Sequence, residues 1–396
     1  MQKKVLLLCA NYNDFGTIKS LRKLGYYIIL TGNVAWQCGQ KYVDRHVMLD
    51  YSDMDGVARL AKDEKVDAIC QGCKDYTVHT AAYVAEKLGL PGYDSFEITR
   101  TLNEKAAFKR FAVENGLPVV PSFSFTDREK ALEYCRAATF PLIVKPTDAY
   151  AGIGVGKIDD PSGAGDAVDE AFRRSRTHEI VLERFLTGSQ HGFCTFLRDR
   201  KVIALSQNDE ISIRNPYRVE IDLWSGDPDA EVRSVLISEV EKIASLLRLK
   251  DGIFHMQYIL ENGKPYIIEV MRRVLGNMYG VPAQMATGFN WEYWETRARC
   301  GLSCEDAPVC LKQEGCFAYK VLLPEKPGII ESIKIPGKYE KYVFQSSYIR
   351  SEGDVITDPA NQPAGFLFMM FSSRGEMKRV LLDEYENSAV VMRERD

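Results

Sequence analysis

The sequence predicts a chain of mixed α/β and α+β class in three parts. A doubly wound parallel-sheet domain is expected over 1–100, an α+β region over 101–300 and a small strand-rich domain over 301–396. Three observations predict this. Short β-branched runs alternate with helix-length amphipathic stretches through the first hundred residues. Within Phe140–Ile158, FPLIVKPTDAYAGIGVGKI, a strand, a lysine, a glycine-rich loop and a second strand follow one another. The stretch Cys310–Asp396 is rich in strand-like runs.

In the first part, Val5–Ala10, Tyr26–Thr31, His46–Leu49 and Val66–Cys70 read as strands. Phe15–Leu24, Met54–Lys62 and Tyr76–Leu88 read as the helices between them, the first and last closed by Gly25 and Gly89. The turn after the first strand, Ala10-Asn-Tyr-Asn-Asp-Phe-Gly16, lacks the G-x-G-x-x-G of a dinucleotide site. A small-ligand pocket at the carboxyl ends of these strands remains open. Ser95 is placed to cap a helix, and a helical run opens at Asn103-Glu-Lys105 and stops at Gly116 and Pro118. Lys105 and Lys109 share one face of that run, and local pattern alone makes both solvated.

Val119–Phe125 and Arg128–Ala138 then lead, as strand and helix, to Leu142-Ile-Val144 and Lys145. The loop that follows carries Gly152, Gly154 and Gly156. Glycine lets a backbone approach a ligand closely and turn several N–H groups toward one point. Such N–H groups beside one fixed cation suit a polyphosphate. No Gly-Lys-Ser/Thr follows, so this is not a Walker loop, and GVGKI runs into a strand rather than a helix, which counts against a Rossmann fingerprint. A glycine flap around 145–157 is the expectation.

Beyond the flap, Gly165–Arg176 is an expected helix and Ile180–Leu182 a strand ending in Glu183-Arg-Phe-Leu. Gly192–Leu197 with Lys201–Ser206 reads as a hairpin, and Glu231–Leu249 as the longest amphipathic helix. Ile253–Leu260 and Pro265–Val270 are strands joined by the turn Glu261-Asn-Gly-Lys264. Gln257 and Glu269 sit on those two strands. Oxygen ligands from adjacent strands beside a polyphosphate suit magnesium, which uses few protein ligands.

Composition bounds the partners. Of 396 residues, 45% are apolar and 27% charged, as in an ordinary globular protein. A net charge of −4 argues against general nucleic-acid or membrane-surface binding, and no apolar run reaches membrane-spanning length. Ten dispersed cysteines fit reduced thiols in a cytoplasmic protein better than a disulfide framework. The Cys70/Cys73 pair lacks a second pair, and Cys300, Cys304, Cys310 and Cys316 are spaced too widely for paired zinc ligands.

Taken together, Lys105, Lys145 in IVKP, the Gly152/Gly154 flap, Glu183 in VLERFLTG and the strand pair FHMQYILENGKPYIIEV resemble the ATP-grasp ligases. The order and spacing of all five blocks match, closely over about residues 100–290. Within that superfamily the chain is most similar to carboxylate–amine ligases, including the L-amino-acid ligases, and to the carbamoyl-phosphate synthetase-like group. The resemblance implies an ATP-grasp fold of two α+β subdomains over 101–300. It also implies an ADP-forming enzyme that activates a small-molecule carboxylate as an acyl phosphate and joins it to an amine. A carboxylase, a purine-pathway-like synthetase, or an ATP-binding protein with lost or weak turnover are the alternatives.

The resemblance further implies roles. Lys105 and Lys145 face the α- and β-phosphates of ATP under Gly152, Gly154 and Val155 of the flap. Glu183, Arg184 and Leu186 form the adenine hinge, Glu183 accepting from the exocyclic amine, and Gln190 takes the ribose. Gln257 and Glu269 hold Mg²⁺, and Arg273 is the catalytic residue that steadies the transferring phosphoryl group. The sequence departs from the family at three points. Gln190 stands for the usual ribose-binding glutamate. Gln257 stands for the commoner glutamate. The usual Glu-x-Asn-x-Arg reads Glu269-Val-Met271-Arg-Arg273, and Met271 is a poor magnesium ligand. The stretch Gln207–Trp224 is irregular, and its Arg214 and Arg218 are candidates to clamp a substrate carboxylate. Trp291, Tyr293 and Trp294 on a probable helix read as core. The last domain is expected to cover the site or to make a homodimer contact.

Overall fold

The computed structural model describes residues 2–148, 152–226 and 229–394; residues 149–151 of the expected flap lie outside them. Strands β1 (Lys4–Leu8), β2 (Tyr27–Gly32), β3 (Arg45–Met48) and β4 (Ala68–Gln71) form a parallel sheet in the order β3-β2-β1-β4. Alternation along β1 divides its side chains between two faces. Val5 and Leu7 pack with Ile18 and Leu21 of helix α1 (Phe15–Lys23). Leu6 and Leu8 pack with Val57 and Ala61 of α2 (Met54–Glu64) and with Ala81 and Ala85 of α3 (Asp75–Leu88). Asp53 caps α2 through the Gly56 N–H at 2.9 Å, and Gly89 ends α3 at φ +67°. The doubly wound arrangement expected of this part is what forms.

Ser95 caps α4 (Phe96–Asn103) through the Ile98 N–H at 3.2 Å. The chain breaks at Glu104, and α5 (Lys105–Glu114) starts anew. Lys109 corrects the sequence reading: it is 5% exposed, not solvated. A second sheet, ordered β5-β8-β6-β7, joins β5 (Ser122–Phe125), β6 (Leu142–Pro146), β7 (Gly156–Ile158) and β8 (Ile180–Arg184). Leu142, Val144, Ile180 and Leu182 pack under Ala131 and Cys135 of α6 (Arg128–Ala137) and Val168 and Ala171 of α7 (Ala164–Arg174). The period of two then leaves Ile143, Lys145 and Glu183 for the opposite face.

The largest sheet contains β9 (Ser189–Arg198), β10 (Lys201–Ile211), β11 (Ile221–Ser225), β12 (Gly252–Glu261) and β13 (Lys264–Met271). Leu236, Val240 and Ile243 of α8 (Ala230–Leu246) cover one face, against Phe193, Leu205, Phe254 and Met256. Ala283 of α9 (Gly280–Thr287) and Trp291 and Trp294 of α10 (Trp291–Arg299) cover the other. The two tryptophans are thus core, 1% and 8% exposed.

The stretch Gln207–Trp224 is also corrected. It is not irregular throughout: its ends are β10 and β11, antiparallel through Asp209↔Leu223, Glu210↔Asp222 and Ile211↔Ile221. Strands β14 (Cys316–Leu322), β15 (Gly328–Ile333), β16 (Val343–Tyr348), β17 (Val355–Ile356), β18 (Gly365–Phe371) and β19 (Val390–Arg393) complete the chain. Three of them extend the large sheet, whose order is β13-β12-β9-β10-β11-β14-β18-β16. Residues on both sides of 300 therefore share one hydrogen-bonded layer. The other three form the small sheet β17-β15-β19. Among the described residues no helix is long and apolar enough to cross a membrane.

Candidate functional site

Between the second sheet and the large sheet lies a cavity of about 430 Å³. Its lining brings together Lys105, Lys145, Gly152, Val155, Glu183, Arg184, Leu186, Gln190, Gln257 and Glu269, which are scattered over 165 positions of sequence. Ile143, Leu186, Ile259 and Ile268 supply apolar walls. A second cavity of about 320 Å³ shares Gly152, Gln190, Gln257 and Glu269 with the first and adds Arg218, Met271 and Arg273. Arg214 is not there. It lines a separate cleft, with its Nε 3.4 Å from Glu220 Oε2 and its Nη1 donating to Pro324 O at 2.9 Å. Gly154 lines neither cavity; at φ +72° it packs against Arg174 and Pro146.

Sequence reasoning missed how Glu183 is held. Its carboxylate receives Lys145 Nζ at 3.1 Å on one oxygen and Lys109 Nζ at 3.2 Å on the other. Burial alone would raise the Glu183 carboxyl; Lys145 and Lys109 outweigh it and hold the group below its ordinary range. Burial also lowers the Lys109 ammonium, against the pull of Glu183. The Glu183 side chain therefore positions two lysines, while its backbone is paired within the second sheet. The helical spacing of Lys105 and Lys109 was the signal: two cations one turn apart on the face that meets Glu183.

The segment after β8 is tethered from the large sheet. Glu261 Oε2 accepts from Arg184 Nη1 at 2.8 Å, and its Oε1 accepts from the Thr187 N–H at 2.7 Å. The Arg184 guanidinium is thereby committed to Glu261. Among the described residues the Leu186 N–H has no hydrogen-bond partner.

Gln257 and Glu269 are register neighbours on β12 and β13, as the hairpin turn predicted. Gln257 Nε2 donates to Glu210 Oε2 at 2.8 Å, and Gln190 Nε2 donates to the same oxygen at 2.7 Å. Donating through its nitrogen leaves the Gln257 carbonyl oxygen for a cation. The Glu269 carboxylate makes no hydrogen bond or ion pair among the described residues. An amide oxygen and an unpaired carboxylate side by side form a hard-oxygen set that fits Mg²⁺. Glu210, 7% exposed, orients both glutamines and was not anticipated.

Arg273 is part-buried, its side chain 11% exposed, and is held by the N-terminal domain. Its Nε donates to Asp75 Oδ1 at 2.7 Å and its Nη1 to Val274 O at 3.0 Å. Asp75 begins α3 just beyond β4, so the carboxyl end of the parallel sheet does border the site. Gln71 at the end of β4 adds a second tie, donating to Arg272 O at 2.8 Å.

The family model described as carbamoyl-phosphate synthase L chain, ATP binding domain, matches residues 104–305. Urea amidolyase of Saccharomyces cerevisiae is 25% identical over 332 residues, 78% of this chain and 18% of that protein. The carbamoyl phosphate synthase large chain of a Thermoanaerobacter species is 24% identical over 294 residues, 70% of this chain and 27% of that one. The chain thus spans from under a fifth to about a quarter of the length of these relatives. Among solved structures, L-amino acid ligase from Bacillus licheniformis superposes with a TM-score of 0.80 at 20% identity, covering 100% of both chains. Phosphoribosylglycinamide synthetase from Anaerococcus prevotii gives 0.76 at 19%, covering 99% of this chain and 100% of that one. At these identities the structural likeness is one of fold.

Proposed function

Because the chain belongs to the family of the carbamoyl-phosphate synthase L chain ATP-binding domain, with an ATP-grasp fold, we propose that it is an ADP-forming carboxylate–amine ligase. One observation carries this reading: the phosphate-side lysines, an apolar slot, an unpaired carboxylate and Arg273 line two adjoining cavities. Adenine lies between the apolar walls, with the backbone of Arg184 and Leu186 as its hydrogen-bonding edge and Gln190 at the ribose. Lys105 and Lys145 take the α- and β-phosphates, under Gly152 and Val155. Mg²⁺, held by Gln257 and Glu269, supplies charge neutralisation between the phosphates and the carboxylate.

The carboxylate oxygen attacks the γ-phosphorus and the bond to the β-phosphate oxygen breaks, releasing ADP. The amine nitrogen then attacks the acyl carbon, phosphate leaves and the nitrogen loses a proton. Arg273 faces the charge that grows as the phosphoryl group moves. The neighbouring folds named L-amino acid ligase and phosphoribosylglycinamide synthetase support C–N bond formation.

The deciding experiment follows nucleotide and phosphate with pooled carboxylates and amines. ADP and phosphate that require both pools are expected. AMP with pyrophosphate would overturn acyl-phosphate chemistry, and release driven by bicarbonate alone would point to a carboxylase.

Two further outcomes test the nucleotide end. Lys145→Ala exposes the phosphates to Glu183 with one lysine fewer, so ATP affinity should fall about 10²-fold, ~3 kcal/mol. Calorimetry showing unchanged affinity would dissociate Lys145 from the phosphates. Gly152 holds φ +74°, and a Cβ there would lie 2.6 Å from Tyr217 Cβ and O. Gly152→Ala should therefore shift the flap and weaken ATP about tenfold, while thermal melting changes by only a few degrees.

A further inference from the structure

The second cavity is short of positive charge on its floor. Glu210 on β10 and Asp222 on β11 are direct register neighbours, 7% and 3% exposed. The recorded donors to Glu210 are the neutral amides of Gln190 and Gln257. Asp222 leaves Oδ1 buried with no hydrogen-bond partner, and Asn208 Nδ2 nearby is unpartnered as well. The register neighbour of Asp222 on β14 is Tyr319, which is neutral. Like charges directly opposite in a sheet repel, and a buried carboxylate without a cation is costly. Burial, and then Glu210, raise the Asp222 carboxyl well above its ordinary range, with the Tyr319 hydroxyl and the Asn208 amide pulling the other way.

The cations lining this cavity do not supply it. Arg273 pairs with Asp75. Arg218 commits its Nη1 to Ala360 O at 2.6 Å and Asn361 Oδ1 at 2.5 Å. His255 is 1% exposed, and among the described residues no ion pair joins it to either carboxylate. Among the described residues neither arginine forms an ion pair with Asp222 or Glu210.

We infer that Asp222, seconded by Glu210, is the binding site for a protonated primary amine on the substrate. The inference rests on the ligase reading and names the chemical group that its substrate presents at this floor. Two features favour an organic ammonium. Tyr279 and Tyr319 line the same cavity, and aromatic faces attract ammonium groups. An ammonium also brings three N–H donors, enough for the unpartnered Asp222 oxygen and its neighbours. Arg218 keeps Nε and Nη2 for an acidic group on the same molecule.

Calorimetry tests this with a non-hydrolysable ATP analogue and then each of the twenty common amino acids as the amine probe. At least one amino acid should bind, and its des-amino counterpart should bind at least about 30-fold more weakly. Asp222→Asn should weaken the amino acid by a similar factor, leave the des-amino compound unaffected, and keep nucleotide affinity within twofold. Binding of none of the twenty, equal binding of the des-amino compound, or unchanged binding in Asp222→Asn would each overturn the assignment. The des-amino comparison uses the unaltered protein, so it decides the matter even where the variant folds poorly. Failure of the ATP analogue to bind would instead overturn the ligase reading. The amine titration is therefore repeated without nucleotide, where the same ratios judge Asp222 on its own.

Discussion

Glu269→Gln is expected to lower turnover about 10³-fold while leaving the fold intact. The substitution keeps volume and shape on β13 but removes the one carboxylate beside Gln257 that has no protein partner. Charge between the phosphates and the attacking carboxylate then loses its anchoring oxygen, a deficit of the size seen when a preorganised electrostatic group is removed. Magnesium titration of ATP binding supplies a second readout, since the variant should need far more metal for the same nucleotide affinity. Rates within tenfold of the unaltered protein at saturating magnesium would refute the assignment. The converse change, Met271→Asn, adds an oxygen donor two residues along the same strand. It should lower the magnesium requirement, because a thioether is a weak ligand for a hard cation.

Arg273→Ala should reduce kcat by 10²- to 10³-fold with little change in ATP affinity. The guanidinium meets charge that develops only as the phosphoryl group transfers, so its loss falls on the chemical step. Its orientation comes from Asp75 at 2.7 Å, across the boundary with the N-terminal domain. Asp75→Asn is accordingly a positioning change. It should lower kcat about tenfold while KM for ATP stays constant, and Asp75→Glu should restore part of the rate. A loss confined to KM in either variant would place Arg273 in ground-state binding instead.

The sequence by itself determined the course of the chain and the chemical inventory. Alternating runs such as Val5–Leu8 and capping residues such as Asp53 and Ser95 encode strand and helix within a few residues, because period and capping are local physics. Lys145, the positive-φ glycines, Gln257 and Glu269 were readable for the same reason: a hairpin turn fixes which residues of two strands stand opposite each other. What the tertiary structure alone decided is the company each side chain keeps. Lys109 became a buried partner of Glu183 only when α5 was laid against β8, and Glu183 thereby ceased to be a free acceptor. Arg214 and Arg218, four residues apart in one loop, line one cleft together, and only Arg218 also reaches the cavity that holds Arg273, because the loop crosses from β10 to β11. Asp222 opposite Glu210 depended on a strand register hidden in an irregular-looking stretch. Such pairings depend on contacts between segments distant in sequence, and burial, which sets their energies, is a property of the assembled layers rather than of any segment.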